Sequence, residues 1–154
     1  MRQSQLSVLA PYVLAEAYGK VGQVEEGLTV LAKALAFVDK TGMRVSEAEL
    51  YRLKGQLTLQ KFQVSNTQDP APSPQAEAEA EACFLKAIEI ARKQQAKSLE
   101  LRTAMSLSRL WQRQGRTKEA RKMLSEIYNW FTEGFDTKDL QEARALLDSL
   151  GSSV

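Results

Sequence analysis

Three arginines in the second half of the chain are well placed to recognise a ligand. Arg102, Arg109 and Arg113 are spaced at i, i+7 and i+11, which puts them on one side of a helix. A guanidinium presents a fork of N–H donors that matches a carboxylate, so this spacing favours an acidic segment or a chain terminus as ligand. The alternative interpretation is a basic helix face that contacts only water.

The other groups that could do chemistry are acidic clusters and one thiol. The carboxylates of Glu25–Glu26 and of residues 77–81 are either paired acid–base groups or, as we expect, solvated helix faces. Cys83 is either a partly buried packing residue or a redox-sensing thiol, and the second role needs a lowered pKa. The sequence has no histidine and no glycine-rich phosphate-binding loop. We therefore expect no catalytic residue, no metal site, no cofactor and no enzyme activity.

The composition argues against several classes of partner. Of 154 residues, 44% are hydrophobic, which is enough for a core, and 26% are charged with the two signs nearly balanced. A formal net charge of +2 is too small to indicate nucleic acid or an anionic membrane as partner. A single cysteine cannot form an internal disulfide, and neither a signal peptide nor an apolar run of about 18 residues is recognisable. The expected location is therefore the cytoplasm.

Apolar residues recur at helical spacing along nearly the whole chain, which predicts an all-α fold. Residues 63–75 hold three of the four prolines and are predicted to be a flexible loop. Pro11 is expected in the first turn of its helix, because proline deeper in a helix costs about 3 kcal/mol. The predicted helices have approximate bounds of 5–21, 24–39, 46–62, 76–95, 97–114, 117–131 and 138–150.

The chain matches itself when it is shifted by 93 residues. A shift of 40 residues also aligns Ala80 with Ala120 and Phe84 with Leu124. The glycines are expected to make tight turns of positive φ, and the small residues are expected where two helices cross most closely. The pairs aligned by the longer shift are Leu14 with Leu107, Ala15 with Ser108, Tyr18 with Trp111, Gly22 with Gly115, Glu26 with Glu119, Gly27 with Ala120 and Leu31 with Leu124.

This pattern resembles the tetratricopeptide repeat, a helix–turn–helix unit of about 34 residues. The resemblance implies one domain over residues 1–154, built as a right-handed α–α superhelix, or solenoid. Its three helix pairs would span about 5–39, 46–95 and 97–131, and a capping helix would follow at 138–150. The segment ELYRLKGQL fits the family pattern least. The residues that match the family are Leu14, Ala15, Tyr18, Leu31, Ala34, Ala80, Phe84, Ala87, Leu107, Ser108, Trp111, Ala120 and Leu124.

Longer segments narrow the resemblance. ELYRLKGQL, EAEACFLKAIEIARKQQAKSLELRTAMSLSRLWQRQG and IYNWFTEGFDTKDLQEARALL are similar to the carboxy-terminal helical repeats of large bacterial signalling proteins. In those proteins an ATPase module, often with a nucleotide-cyclase or kinase domain, precedes the helical tail. The resemblance implies a non-catalytic scaffold that binds other proteins and serves as a regulatory or assembly tail. The alternative is an effector-sensing module that binds a small ligand or peptide in a concave groove.

The resemblance also implies which residues contact a partner. In tetratricopeptide stacks, the first helix of each pair lines a concave groove that holds an extended peptide or a helix. The implied partner is a protein or a peptide, and an acidic segment is one such partner. Apolar Leu6, Val8 and Leu9 at the amino-terminal end also allow a homo-oligomer. The groove residues transferred to this chain are Tyr12, Glu16, Gly19, Lys20, Arg102, Met105, Arg109, Gln112 and Arg113.

Overall fold

The computed structural model of the chain describes residues 10–65 and 73–151, and every regular element within these ranges is an α-helix. The all-α prediction is therefore confirmed for this part of the chain. The helices in the described ranges are α1 (Pro11–Lys20), α2 (Val24–Thr41), α3 (Glu47–Ser65), α4 (Pro74–Lys93), α5 (Lys97–Arg113), α6 (Thr117–Tyr128) and α7 (Lys138–Gly151).

Most helix ends lie within three residues of their predicted positions. Pro11 occupies the first turn of α1, as predicted, where its missing N–H removes no intrahelical hydrogen bond. α3 continues to Ser65 and α4 begins at Pro74, so both helices extend into the segment predicted as the loop 63–75. Residues 66–72 of that loop lie outside the described residues. The same holds for residues 5–9, which were assigned to the first predicted helix.

Three of the interhelical turns share one hydrogen-bonding pattern. After α1, Gly22 N–H donates to Gly19 at 3.1 Å, and the next N–H, from Gln23, donates to Tyr18 at 2.8 Å. This pair of bonds is the Schellman motif, in which the residue after the helix takes a left-handed conformation. Gly22 has φ of 82° and Gly115, after α5, has φ of 80°, as the sequence predicted for both. The turn after α4 has the same bonds, but its left-handed residue is Gln95, with φ of 55°.

The chain forms two compact units that divide between Cys83 and Phe84, within α4. In the first unit, α1, α2 and α3 contact one another in all three pairings. A Cβ added at Gly19 would lie 2.7 Å from Leu57 Cδ2, and one added at Gly27 would lie 2.9 Å from Leu57 Cδ1. Both distances are too short for a carbon contact, so a larger residue at either site would require the buried Leu57 side chain to move. The core residues of this unit are Ala15, Val24, Leu31, Val38, Leu50, Leu53 and Leu57.

The second unit repeats this arrangement with α5, α6 and α7, which also contact one another in all three pairings. Ala120 is fully buried, and Ser108 Oγ donates to its carbonyl oxygen at 3.4 Å where α5 meets α6. The Arg116 guanidinium lies 4.5 Å from the centre of the Trp111 ring, a cation–π contact at the start of α6. The prediction of one domain over residues 1–154 stays a prediction. Core residues of this unit include Leu101, Met105, Leu107, Leu110, Leu124, Leu140, Ala143 and Leu146.

Candidate functional site

A cleft of about 410 Å³ lies between α1 and α3 in the first unit. It contains three of the groove residues predicted from the sequence, Glu16, Gly19 and Lys20. The facing residues of α3 are spaced at i, i+3, i+4 and i+7, so they form one side of that helix. These α3 residues are Leu53, Gln56, Leu57 and Gln60.

The close crossing of α1 and α3 fixes the geometry of this cleft. Leu57 packs against Gly19, which brings the two backbones together beneath the polar side chains. The Gln60 amide Nε2 donates to the Gly19 carbonyl oxygen at 2.7 Å, close to the carboxyl end of α1. The same carbonyl oxygen also accepts from Gly22 N–H at 3.1 Å, so the Gln60 side chain connects α3 to the turn that ends α1. The base of the cleft is therefore apolar and is formed by Leu57, and the amide side chains of Gln56 and Gln60 form its α3 side.

The charges around the cleft are balanced. Lys20 Nζ lies 3.8 Å from Glu16 Oε1, one helical turn away, and both side chains are exposed. Lys61, which follows Gln60 on α3, forms a 3.0 Å ion pair with Glu25 at the start of α2. Exposed pairs of this kind contribute at most about 1 kcal/mol each, so exchanging the Lys20–Glu16 pair for a contact with a ligand would cost little free energy. The cleft suits a neutral polypeptide backbone, because glutamine amides can donate and accept hydrogen bonds.

Tyr12 and the glutamines show where sequence reasoning was incomplete. Tyr12 was predicted to line the groove, but it is half-buried and packs against the core of the first unit. Gln56 and Gln60 were not predicted, because no register of the α3 sequence matched all the family positions. The signal that could have identified them is the pairing of two glutamines at i and i+4 with Leu53 and Leu57 at the same spacing.

The predicted groove residues of α5 contact α7. Arg102 Nη2 forms a 3.1 Å ion pair with Asp139, and Arg109 Nη2 lies 4.0 Å from Glu142. The third contact is a 3.3 Å hydrogen bond from Gln112 Nε2 to Ser149 Oγ. Acidic and hydroxyl groups of the chain itself thus face this side of α5. Of the predicted arginines, Arg113 alone lacks an ion-pair partner among the described residues, and it is exposed.

Met105 is a correction to the predicted groove. Its side chain is 2% exposed, so it belongs to the core and offers no surface to a partner. The reason is that α5 packs against both α6 and α7, which leaves little of its circumference open. A rule that assigns one open face to each first helix therefore fails for this helix. Arg102 and Arg109 are not part of this core, because they lie along the edge of α5 that meets α7.

The thiol and the carboxylate clusters do not assemble into a reactive centre in the described part of the chain. Burial raises the pKa of the half-buried Cys83 thiol, and nearby Glu79 raises it further, whereas Lys54 lowers it. This direction opposes the thiolate that a redox-sensing role requires. Glu25 and Glu26 are exposed on α2. Within residues 10–65 and 73–151, no group of three His, Cys, Asp or Glu side chains could hold a metal ion.

Two further predictions bear on the surroundings of the protein. None of the described helices is both long enough and apolar enough to cross a membrane. The residues on which the predicted homo-oligomer depends, Leu6, Val8 and Leu9, lie outside the described residues. Comparison with protein-family models, with curated proteins and with solved structures found no match to this chain.

Proposed function

We propose that the chain is a tetratricopeptide-like, non-catalytic module that binds a partner polypeptide in the cleft between α1 and α3. The observation that carries this proposal is the cleft itself, where Glu16 and Lys20 of α1 face Gln56 and Gln60 of α3 across the Gly19–Leu57 crossing. An extended peptide has unpaired backbone N–H and C=O groups, and glutamine amides carry the kinds of donor and acceptor that pair with them. The apolar floor would accept a side chain of the ligand.

The proposed architecture is a right-handed solenoid of the pairs α1–α2, α3–α4 and α5–α6, followed by α7 as a cap. Support for the first and last pairs comes from their shared Schellman turns and from Gly27 and Ala120 at corresponding helix crossings. Support for the place of α7 comes from its contacts with α5 and α6, which repeat those of α3 with α1 and α2. In such stacks each helix pair buries its apolar face against the next pair.

The ligand proposed for the cleft differs from the one suggested by the arginine spacing. Asp139 and Glu142 already face Arg102 and Arg109, so an acidic peptide at that face would compete with groups of the chain. The cleft between α1 and α3 has balanced charge, and we propose an uncharged or mixed-charge segment for it. On the sequence resemblance, the module acts in the cytoplasm as a regulatory or assembly tail of a bacterial signalling protein.

Selection of peptides by phage display on the immobilised protein tests this function, since the selection requires no candidate partner at the outset. Selected peptides would be titrated by fluorescence anisotropy against the original chain and against Lys20→Ser and Gln56→Ala variants. Each lost hydrogen bond or charge contact should weaken binding about two- to tenfold. Lys118→Ser is the matched control, because Lys118 is exposed on α6 and lies outside the cleft. Equal binding by the cleft variants and the original chain would refute the assignment.

A further inference from the structure

An apolar pocket of about 260 Å³ lies where α2 ends and α3 begins, in the first unit. Its floor includes Val38 and Leu50, which belong to the buried core. Among the described lining residues, Ser46 has the one polar side chain. The volume is below the roughly 300–1,000 Å³ typical of drug-sized ligand sites, so the pocket fits a single large side chain better. The lining residues are Pro11, Ala34, Phe37, Val38, Met43, Val45, Ser46 and Leu50.

The rim of this pocket is unusually apolar for a surface. Phe37 is 56% exposed, Met43 is 65% exposed and Val45 is 84% exposed, and all three lie at the same opening. Isolated exposed apolar residues are common, but a contiguous group beside a pocket is typical of a binding surface. The group lies away from the cleft between α1 and α3 and shares no residue with it.

Two lysines give this surface a positive flank. Lys33, Phe37 and Lys40 are spaced at i, i+4 and i+7 on α2, so both cations lie on the side of the helix that carries Phe37. Both lysines are exposed, and neither forms an ion pair with a residue in the described ranges. Asp39 projects from a different side of α2 and contributes, after burial and Glu47, to raising the pKa of Tyr51. Lys33 and Lys40 therefore make the Phe37 side of α2 positive, and Glu47, which follows Ser46 at the pocket, is paired with Arg44.

We propose that this pocket is a second peptide-docking site, which takes one large apolar side chain of a partner whose neighbouring residues are acidic. The pocket provides the room, Phe37, Met43 and Val45 provide the apolar contact, and Lys33 and Lys40 provide charge complementarity for the flanking carboxylates. This proposal does not depend on the cleft between α1 and α3, because no residue is common to the two surfaces.

The test is a titration of the full chain with a fluorescein-labelled hexapeptide of sequence DELFED, followed by anisotropy. The expected result is saturable binding with Kd below about 1 mM, which is attainable for a short peptide that places one of its two apolar side chains in the pocket. A Met43→Ser, Val45→Ser double variant should bind about fivefold more weakly through lost apolar contact. A Lys33→Glu, Lys40→Glu double variant should bind about three- to tenfold more weakly. All four side chains are well exposed, so these variants should fold.

Matched controls separate this site from the other surfaces of the chain. Val21→Ser removes an equally exposed apolar side chain outside the pocket, and Lys20→Ser removes a cation of the cleft. Both variants should bind DELFED as the original chain does. The peptides DESSED and KKLFKK, which lack the anchor or the acids, should bind much more weakly.

Several results would overturn the proposal. They are an absence of saturation, equal affinity for KKLFKK, or unchanged affinity in both pocket variants. A fourth is that DELFED binds only after Leu6 and Leu9 are changed to serine, which would assign the pocket to the first residues of the chain itself. Failure of Lys20→Ser to weaken the phage-selected peptides would refute the cleft and leave this pocket unaffected.

Discussion

The turn after α4 offers a sharp test of the backbone geometry. Gln95 adopts φ of 55°, a left-handed conformation, at the position that glycine holds in the turns after α1 and α5. The turn before α5 is otherwise made by the same hydrogen bonds, with Gln95 N–H donating to Arg92 at 3.1 Å and Ala96 N–H to Ala91 at 2.8 Å. The side chain of Gln95 is exposed. Its replacement by glycine therefore changes mainly the backbone energy.

The size of the effect follows from two opposing terms. A left-handed conformation costs an L-residue about 1–2 kcal/mol, and Gln95→Gly removes that cost. Glycine has more conformational freedom in the unfolded chain, and this destabilises the folded state by about 0.5–1 kcal/mol. We expect a net stabilisation of about 0.5–1 kcal/mol, which for a unit of this size raises Tm by about 2–8 °C.

Gly115→Ala is the matched control in the reverse direction. Gly115 has φ of 80°, and a Cβ added there would meet no atom within 4 Å, so its effect is also confined to the backbone. We expect a destabilisation of about 1 kcal/mol. Both positions lie in the unit that begins at Phe84, so thermal and urea unfolding followed by circular dichroism would report on the same structure. Unchanged or lowered stability in Gln95→Gly, together with no effect of Gly115→Ala, would refute the reasoning.

Three further predictions concern single side chains. Gly27→Ala should destabilise the fold by about 1–3 kcal/mol, because its Cβ would lie 2.9 Å from Leu57 Cδ1; urea unfolding should show that Leu57→Val offsets part of this loss. At about pH 8, Cys83 should react with iodoacetamide more slowly in the folded protein than in protein unfolded by urea, since burial raises the pKa of its thiol above 9.0. Equal rates in the two states would contradict this prediction. The hydrogen bond from Arg116 lowers the pKa of the Glu119 carboxyl below its ordinary value of 4.5. The ionised Glu119 therefore stabilises the folded state above pH 4.5, and this stabilisation is lost as the pH falls through the pKa that Glu119 has in the folded state. NMR titration should show that the pKa shift of Glu119 disappears in the Arg116→Gln variant.

The sequence was sufficient to predict the positions of the helices, because apolar periodicity indicates which face of each segment is buried. It was also sufficient for the turns at Gly22 and Gly115, because glycine marks a left-handed position. The equivalent turn at Gln95 could not be predicted, since glutamine gives no local signal for positive φ. There, the left-handed conformation accompanies the two hydrogen bonds that close the turn, from Gln95 N–H to Arg92 and from Ala96 N–H to Ala91.

The candidate site was predicted in part. Glu16 and Lys20 do lie in a cleft, because their helix was assigned correctly and one of its sides remains open. Met105 was wrong as a groove residue, because burial depends on how many helices surround α5, and a single-helix pattern does not contain that number. The contact between Arg102 and Asp139 joins residues 37 positions apart, so it depends on the docking of α7.

The packing of Leu57 against Gly19 and Gly27 has a consequence for sequence variation. The two glycines belong to different helices, yet the same leucine side chain limits the size of the residue at each. In chains descended from a common ancestor with this one, the residues at positions 19, 27 and 57 should vary together, with a larger residue at either glycine accompanied by a shorter one in place of Leu57. An alignment could reveal this covariation as a triplet, and a chain with three bulky residues at these positions would need a wider separation of α1, α2 and α3.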